Sequence, residues 1–162
     1  MVEIISVKPI GIVHSPRKEM KDDFWGSVIS EIELDSSLFT EEALYGLKDF
    51  SHIEVIFYMH KVNHEKIQFG ARHPRNRTDW PKVGIFGQRA KARPNQLGVS
   101  RCRLLKVEGL KLTVQALDAI DQTPVLDIKP YMEEFGPIGV VHQPEWSREV
   151  MKQYYAEEIE HE

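Results

Sequence analysis

The sequence predicts a mainly β protein: a single β-barrel domain with short helices and one helix at its C-terminal end. Three observations predict it. Short apolar runs rich in Val, Ile and Phe recur between Gly, Pro and Asp turn signals, the pattern of strands joined by tight connections. Four-residue helical spacing is sustained only late, at Trp146, Val150 and Tyr154, as an amphipathic helix requires. A length of 162 residues suits one domain. The expected division is a barrel over residues 1–143 and a helix over 144–162 packed on it.

The elements follow in order. Ile4 to His14 carries an apolar strand pattern, and Pro9 within it predicts an edge or bulged strand because proline has no N–H for a ladder. In Val28 to Leu34, Ile32 and Leu34 alternate with Glu31 and Glu33, a half-buried strand. Thr40, Glu41, Glu42 and Gly46 mark a short helix with a hydroxyl cap, acidic first turn and glycine stop. Ile53 to Met59 is almost wholly β-branched or aromatic, predicting a central strand buried on both faces. Residues 63–82 read as a long polar loop, and Val83 to Phe86 as a short strand. Val99–Val107 and Leu112–Leu117 form a hairpin about Glu108-Gly109-Leu110-Lys111. Val125 to Ile128 is a further strand, stopped near Pro130.

Composition narrows the class. The chain is 41% hydrophobic and 28% charged, which excludes wholesale disorder. Its single cysteine, Cys102, excludes an internal disulfide framework and a multi-cysteine zinc site. Cys102 alternates with Arg101 and Arg103 and is expected on the opposite face, a buried inert thiol. No apolar run is long enough to span a membrane and no secretory leader is visible, so a cytoplasmic protein is expected. Charge is segregated: residues 72–103 hold nine Lys or Arg against the single acid Asp79, a local +8 on a chain of formal net charge −4. Such a segment suits a polyanion such as RNA phosphate and equally a solvated basic loop.

Several chemistries are disfavoured. The chain has no Gly-x-Gly-x-x-Gly after a first strand, no phosphate-binding Gly-x-x-x-x-Gly-Lys and no Gly-x-Ser-x-Gly elbow. His60 and His64 have metal-compatible helical spacing but follow a strand, so no metal is expected. Two segments are denser in special residues. Gly84-Ile85-Phe86-Gly87-Gln88-Arg89 runs into Arg93-Pro94-Asn95-Gln96-Leu97-Gly98-Val99-Ser100, a turn-rich loop that aims Arg89 and Arg93, side chains able to clamp a carboxylate or phosphate. Asp118, Asp121, Thr123, Asp127 and Lys129 lie among apolar anchors between Leu117 and Tyr131. They can accept from a ligand hydroxyl or amine, or cap Asx turns.

These segments resemble the YaeB/TsaA-like (TrmO) family. The matching pattern is Gly-x-Phe-x-x-Arg, then Arg-Pro-Asn-x-x-Gly-x-Ser, then Asp-x-x-Asp-x-Thr-Pro-Val-x-Asp-Ile-Lys-Pro-Tyr from Asp118 to Tyr131. Ile10-Gly11-Ile12-Val13-His14-Ser15-Pro16 resembles the family's opening, and Phe50-Ser51-His52-Ile53 its central strand. The resemblance implies a homodimeric β-barrel that binds S-adenosylmethionine and methylates N6 of threonylcarbamoyl-adenosine beside the tRNA anticodon. It implies cofactor contacts at Trp25, Gly26, Ser27, Lys61, Val62, Arg89, Val99, Gln122, Thr123, Pro124 and Val125. Asp118, Asp121 and Asn95 are the implied acceptor-side residues. Arg72, Arg75, Arg77, Lys91 and Arg93 would hold tRNA phosphates, with His73 or Trp80 available for base stacking. Gln122 stands where the family carries glycine. Methyl transfer to another or smaller acceptor, and a non-catalytic S-adenosylmethionine- or RNA-binding barrel, are the competing readings.

Overall fold

A computed structural model describes residues 1–159. Six strands close a barrel in the order β1, β2, β7, β6, β3, β8. They are β1 (Gly11–His14), β2 (Ile29–Leu34), β3 (His52–Tyr58), β6 (Leu97–Glu108), β7 (Lys111–Gln115) and β8 (Pro124–Pro130). Every neighbouring pair is antiparallel. A separate two-stranded sheet joins β4 (Ala71–Arg72) to β5 (Val83–Gly84). One α-helix, α1 (Glu145–Met151), follows the barrel.

Strand alternation fills the interior. Val13, Ile32, Ile53, Val55, Leu112, Val114, Leu117 and Val125 are fully buried, with Phe57 and Cys102 beside them. A barrel of few strands has room inside only for side chains, so this lumen is a core and not a channel. Long β6 serves two neighbours: Leu97–Arg103 pair with β3, and Arg103–Glu108 pair with β7, interrupted by a bulge at Leu105. The hairpin turn falls at Gly109-Leu110, where Gly109 takes φ +59°. Cys102 lies inward at 1% exposure, with Arg101 and Arg103 outward.

Several elements differ from the sequence expectation. The first strand begins only at Gly11, and residues 1–9 run exposed without partners among the described residues. Strand β3 buries one face: Ile53, Val55 and Phe57 point inward while His52, Glu54, Ile56 and Tyr58 stay half exposed. A closed barrel gives every strand an outer face, which a continuous apolar run does not announce. The predicted helix after Thr40 is a 3-10 turn over Glu41–Leu44, and the Thr40 side chain makes no capping bond. Val83–Phe86 is split into the two residues of β5 and a 3-10 turn over Ile85–Gly87. The predicted loop 63–82 contains β4. The late helix covers only seven residues of the expected span, Glu145–Met151; residues beyond Met151 continue as turns. Glu160, at the end of the predicted helix, lies outside the described residues.

Candidate functional site

Antiparallel closure brings the ends of β1, β3 and β7 and the starts of β2, β6 and β8 to one rim of the barrel. Three connections therefore emerge together: residues 15–28, 59–96 and 116–123. Every sequence-nominated cofactor and acceptor residue lies on them or on the first residues of β6 and β8. Trp25, Gly26 and Ser27 come from the first; Lys61, Val62, Arg89 and Asn95 from the second; Asp118, Asp121, Gln122 and Thr123 from the third. Val99 opens β6, and Pro124 and Val125 open β8. The shallow clefts at the opposite rim, lined by Pro9, Gly11, Glu33 and Leu34 among others, contain none of these residues.

The first connection is held by a strap, residues 151–156. The Phe24 N–H donates to the Gln153 carbonyl at 3.0 Å and the Trp25 N–H to the Tyr154 carbonyl at 2.8 Å. Trp25 is buried, with the Arg17 guanidinium 4.0 Å above its ring, a cation–π contact. The same guanidinium donates to the carbonyls of Asp23 and Phe24 at 2.9 and 2.8 Å. At Gly26 a Cβ would meet the Tyr155 carbonyl oxygen at 1.9 Å, so only glycine lets the strap lie this close. Ser27 is exposed.

In the second connection, Val62 is buried and its N–H donates to the Met59 carbonyl at 3.3 Å. Exposed Lys61 reaches the Lys18 carbonyl at 3.4 Å. Arg89 donates to the Val99 carbonyl at 3.2 Å and has no carboxylate partner among the described residues. Asn95 is exposed in the left-handed region at φ +65°. Gln96 beside it is buried, its amide donating to the Met59 carbonyl at 2.9 Å. Pro94 and this pair of left-handed residues hold the loop in shape. Burial lowers the His60 pKa, with the nearby charge of Lys61 adding to the effect.

In the third connection the two aspartates do different things. Asp121 accepts the Ser15 N–H at 2.9 Å, and its own N–H donates to the Arg17 carbonyl at 2.8 Å. The Ser15 bond holds its carboxyl below the usual range; Asp121 ties two connections together. Asp118 accepts the Tyr154 hydroxyl on one oxygen, while its other oxygen, Oδ1, is buried with no partner among the described residues. Burial first and the Asp118 charge second push the Cys102 thiol up to about 12 and hold the Tyr154 hydroxyl protonated. Asp118 raises Tyr155 while Arg89 lowers it, after the larger effect of burial. One cation and one carboxylate thus stand within electrostatic reach of the same tyrosine pair.

Thr123 is buried, its hydroxyl donating to the Ile120 carbonyl at 2.7 Å. Its carbonyl accepts the Val13 N–H at 2.9 Å, and the Gln122 N–H donates back to the Val13 carbonyl at 2.7 Å. The Val125 side chain is in the core, so it supports the rim from beneath. Gln122 adopts φ +66°, a conformation that costs a side-chain-bearing residue about 1 kcal/mol. Its side chain is exposed and makes only long contacts. Gln122→Gly is therefore expected to raise the melting temperature by about 1–2 °C, once glycine's greater unfolded freedom is deducted. A lower melting temperature would show that the Gln122 side chain holds the turn.

The basic segment is partly neutralised. Arg75 grips Asp23 with two bonds of 3.0 and 2.9 Å. Arg77 pairs with Asp79 and lies 4.0 Å over the Trp80 ring. Lys91 meets Asp22 at 3.3 Å. Arg93 donates to the Gln88 carbonyl at 2.7 Å. Arg72 is half buried, with its Nε unpartnered. Trp80 is not available for stacking, contrary to the sequence expectation. Trp80 is 5% exposed, its indole N–H donating to Glu149 of α1 at 2.6 Å, and His73 bonds the Trp80 carbonyl at 2.8 Å. Sequence reading also missed Arg17 and Tyr154. Tyr154 fitted a helical stripe, and only the fold reveals its carboxylate partner.

The chain matches the family described as the tRNA-methyltransferase O N-terminal domain over residues 14–136. It is 39% identical over 135 residues to a probable S-adenosyl-L-methionine-binding protein of Pyrococcus abyssi, covering 82% of this chain and 71% of that one. It is 40% identical over 95 residues to the tRNA (adenine(37)-N6)-methyltransferase of Mus musculus, covering 59% of this chain and 22% of the mouse protein. The crystal structure of TrmO from Pseudomonas aeruginosa superposes with a TM-score of 0.72 at 28% identity, over 90% of this chain and 63% of that chain.

Proposed function

Because this chain belongs to the tRNA-methyltransferase O N-terminal domain family, we propose that it is an S-adenosylmethionine-dependent methyltransferase acting on N6 of an adenosine in tRNA. The finer substrate we propose is threonylcarbamoyl-adenosine next to the anticodon. The observation that carries the reading is the rim, where Arg89, without a carboxylate partner among the described residues, and the half-satisfied carboxylate of Asp118, bonded to the Tyr154 hydroxyl, stand on connections that emerge together.

The residues fit the cofactor. An exposed guanidinium suits an amino-acid carboxylate, and a nearby carboxylate favours a sulfonium's positive charge. Bound S-adenosylmethionine would supply a methyl group already activated for displacement. Arg89 would hold its carboxylate. Trp25, Gly26, Ser27, Lys61, Val62, Val99 and Gln122 to Val125 would form the walls. Orientation supplies most of the rate in such a displacement. Asp118 would accept an N–H of the acceptor nitrogen through its free Oδ1 and receive the proton that this nitrogen loses. Asn95 and Asp121 would shape the acceptor side. Arg72 and Arg93 carry no carboxylate partner among the described residues and would meet phosphates directly. Arg75, Arg77 and Lys91 would first have to exchange theirs.

In this reading residues 1–143 and the C-terminal residues 144–162 work as one domain, in the cytoplasm where tRNA is processed. Among the described residues no helix is long and apolar enough to cross a membrane. A homodimer belongs to the proposal, and exposed Ile4, Ile5 and Val7 offer apolar surface for it. The ion pairs at Arg75, Arg77 and Lys91 favour a second reading, a smaller acceptor that needs no phosphate contacts.

Calorimetric titration tests the cofactor assignment. Arg89→Ala is expected to weaken S-adenosylmethionine at least tenfold, the loss of a charge-assisted pair of about 1.5–3 kcal/mol. Equal affinity would remove Arg89 from the site. Transfer of labelled methyl to tRNA that weakens steeply with salt would support the tRNA reading, and salt-independent transfer to a small acceptor the second.

A further inference from the structure

We propose that Phe69 and Phe86 form a two-ring pad on which unpaired bases of RNA stack. The proposal rests on the tRNA reading above and names the surface that would grip the loop around the methylated base. Both rings are 80% exposed. Their positions are fixed by pairing: Ala71 is opposite Gly84, Arg72 opposite Val83, and the Ile85 N–H donates to the Gly70 carbonyl at 2.9 Å. Phe69 and Phe86 therefore each lie one residue beyond a bonded pair, Phe86 within the 3-10 turn Ile85–Gly87.

The scaffold beneath is rigid. Ile85 is buried at 2% exposure, and the Gln88 amide donates to the carbonyls of Arg72 and Val83 at 3.0 and 2.7 Å. The rings are thus held out in water by an ordered turn. Single exposed apolar side chains are ordinary on protein surfaces, but two exposed rings, each one residue from the same bonded pair and flanked by cations, invite an occupant.

Charge selects that occupant. Lys66, Arg72 and Lys82 flank the pair in sequence, and none has a carboxylate partner among the described residues. The paired cations Arg75, Arg77 and Lys91 lie elsewhere on the same connection. Unspent positive charge beside exposed rings matches a polyanion that also presents flat apolar faces. Single-stranded nucleic acid is such a ligand; a duplex hides its base faces.

The test uses the full chain with Phe69→Leu and Phe86→Leu together, which keeps apolar bulk and removes the rings. Binding of an anticodon stem-loop RNA is read by fluorescence anisotropy, beside a blunt RNA duplex and calorimetric titration of S-adenosylmethionine. The stem-loop is expected to bind at least tenfold more weakly, stacking being worth about 1–3 kcal/mol per base. Its salt slope stays unchanged, because no phosphate contact is lost. Duplex and cofactor affinities stay unchanged. Unaltered stem-loop affinity would overturn the pad and leave the tRNA reading standing. Parallel loss of cofactor affinity would place the rings in the cofactor site instead. A dimer that dissociates on substitution, seen by sedimentation, would make them a contact between two copies. Wild-type protein that takes up S-adenosylmethionine but ignores the stem-loop would overturn the pad and the tRNA reading together.

Discussion

Replacing Asp118 with asparagine is expected to lower methyl transfer at least 100-fold while changing S-adenosylmethionine affinity by less than about threefold, the range of a lost general base. The substitution keeps the shape and leaves an oxygen for the Tyr154 hydroxyl, so the strap has reason to stay in place. What disappears is the charge and the acceptor at Oδ1, the buried oxygen that no other group satisfies. A structural control is built in. The Asp118 charge is one of the two causes that lift Cys102 to about 12, so its removal must lower the thiol pKa. Single-turnover transfer and the pH dependence of thiol alkylation read the two effects separately. A variant with full activity and a lowered Cys102 pKa would reduce Asp118 to a neighbour of the site.

Gly26→Ala is expected to be the more disruptive change. Its Cβ would lie 1.9 Å from the Tyr155 carbonyl oxygen and 2.8 Å from the carbonyl carbon, and backbone cannot rotate away as a side chain can. The strap must lift, breaking the bonds from Phe24 and Trp25 to Gln153 and Tyr154. Overpacking of this kind costs about 1–3 kcal/mol, or a fall of roughly 2–10 °C in melting temperature for a chain of this size. Tryptic cleavage after Lys152 should accelerate at the same time. An unchanged melting temperature with unchanged cleavage would show that the strap does not rest on Gly26.

What could be read in the sequence was what is local. The β6–β7 hairpin was legible because Gly109 and flanking alternation lie within a few residues of one another. Cys102 was legible because strand parity alone sends it inward. Strand β3 was misread on its outer face, since Ile56 and Tyr58 look like core residues until closure gives them water on one side. Trp80 was misread because nothing nearby in sequence announces Glu149. The candidate site was legible as a roster of segments through resemblance, but their meeting at one rim is a property of strand order. The left-handed backbone at Gln122 could be suspected because the family carries glycine there. The strap, beyond the residues that match the family, gave no signal except an apolar period that suited an ordinary helix.

The seam between β1 and β8 has a kinetic consequence. Gly11 and Val125 pair there although more than a hundred residues separate them, whereas β6 and β7 meet across a two-residue turn. Contacts of long sequence separation carry the greater loop-closure entropy and form slowly. The hairpin can therefore assemble early, but the rim straddles the seam through Val13, Gln122 and Thr123 and exists only once the first and last strands have met. During synthesis, a nascent chain would have no place for a methyl donor until β8 leaves the ribosome. The onset of ligand protection during refolding would then time the final closure itself.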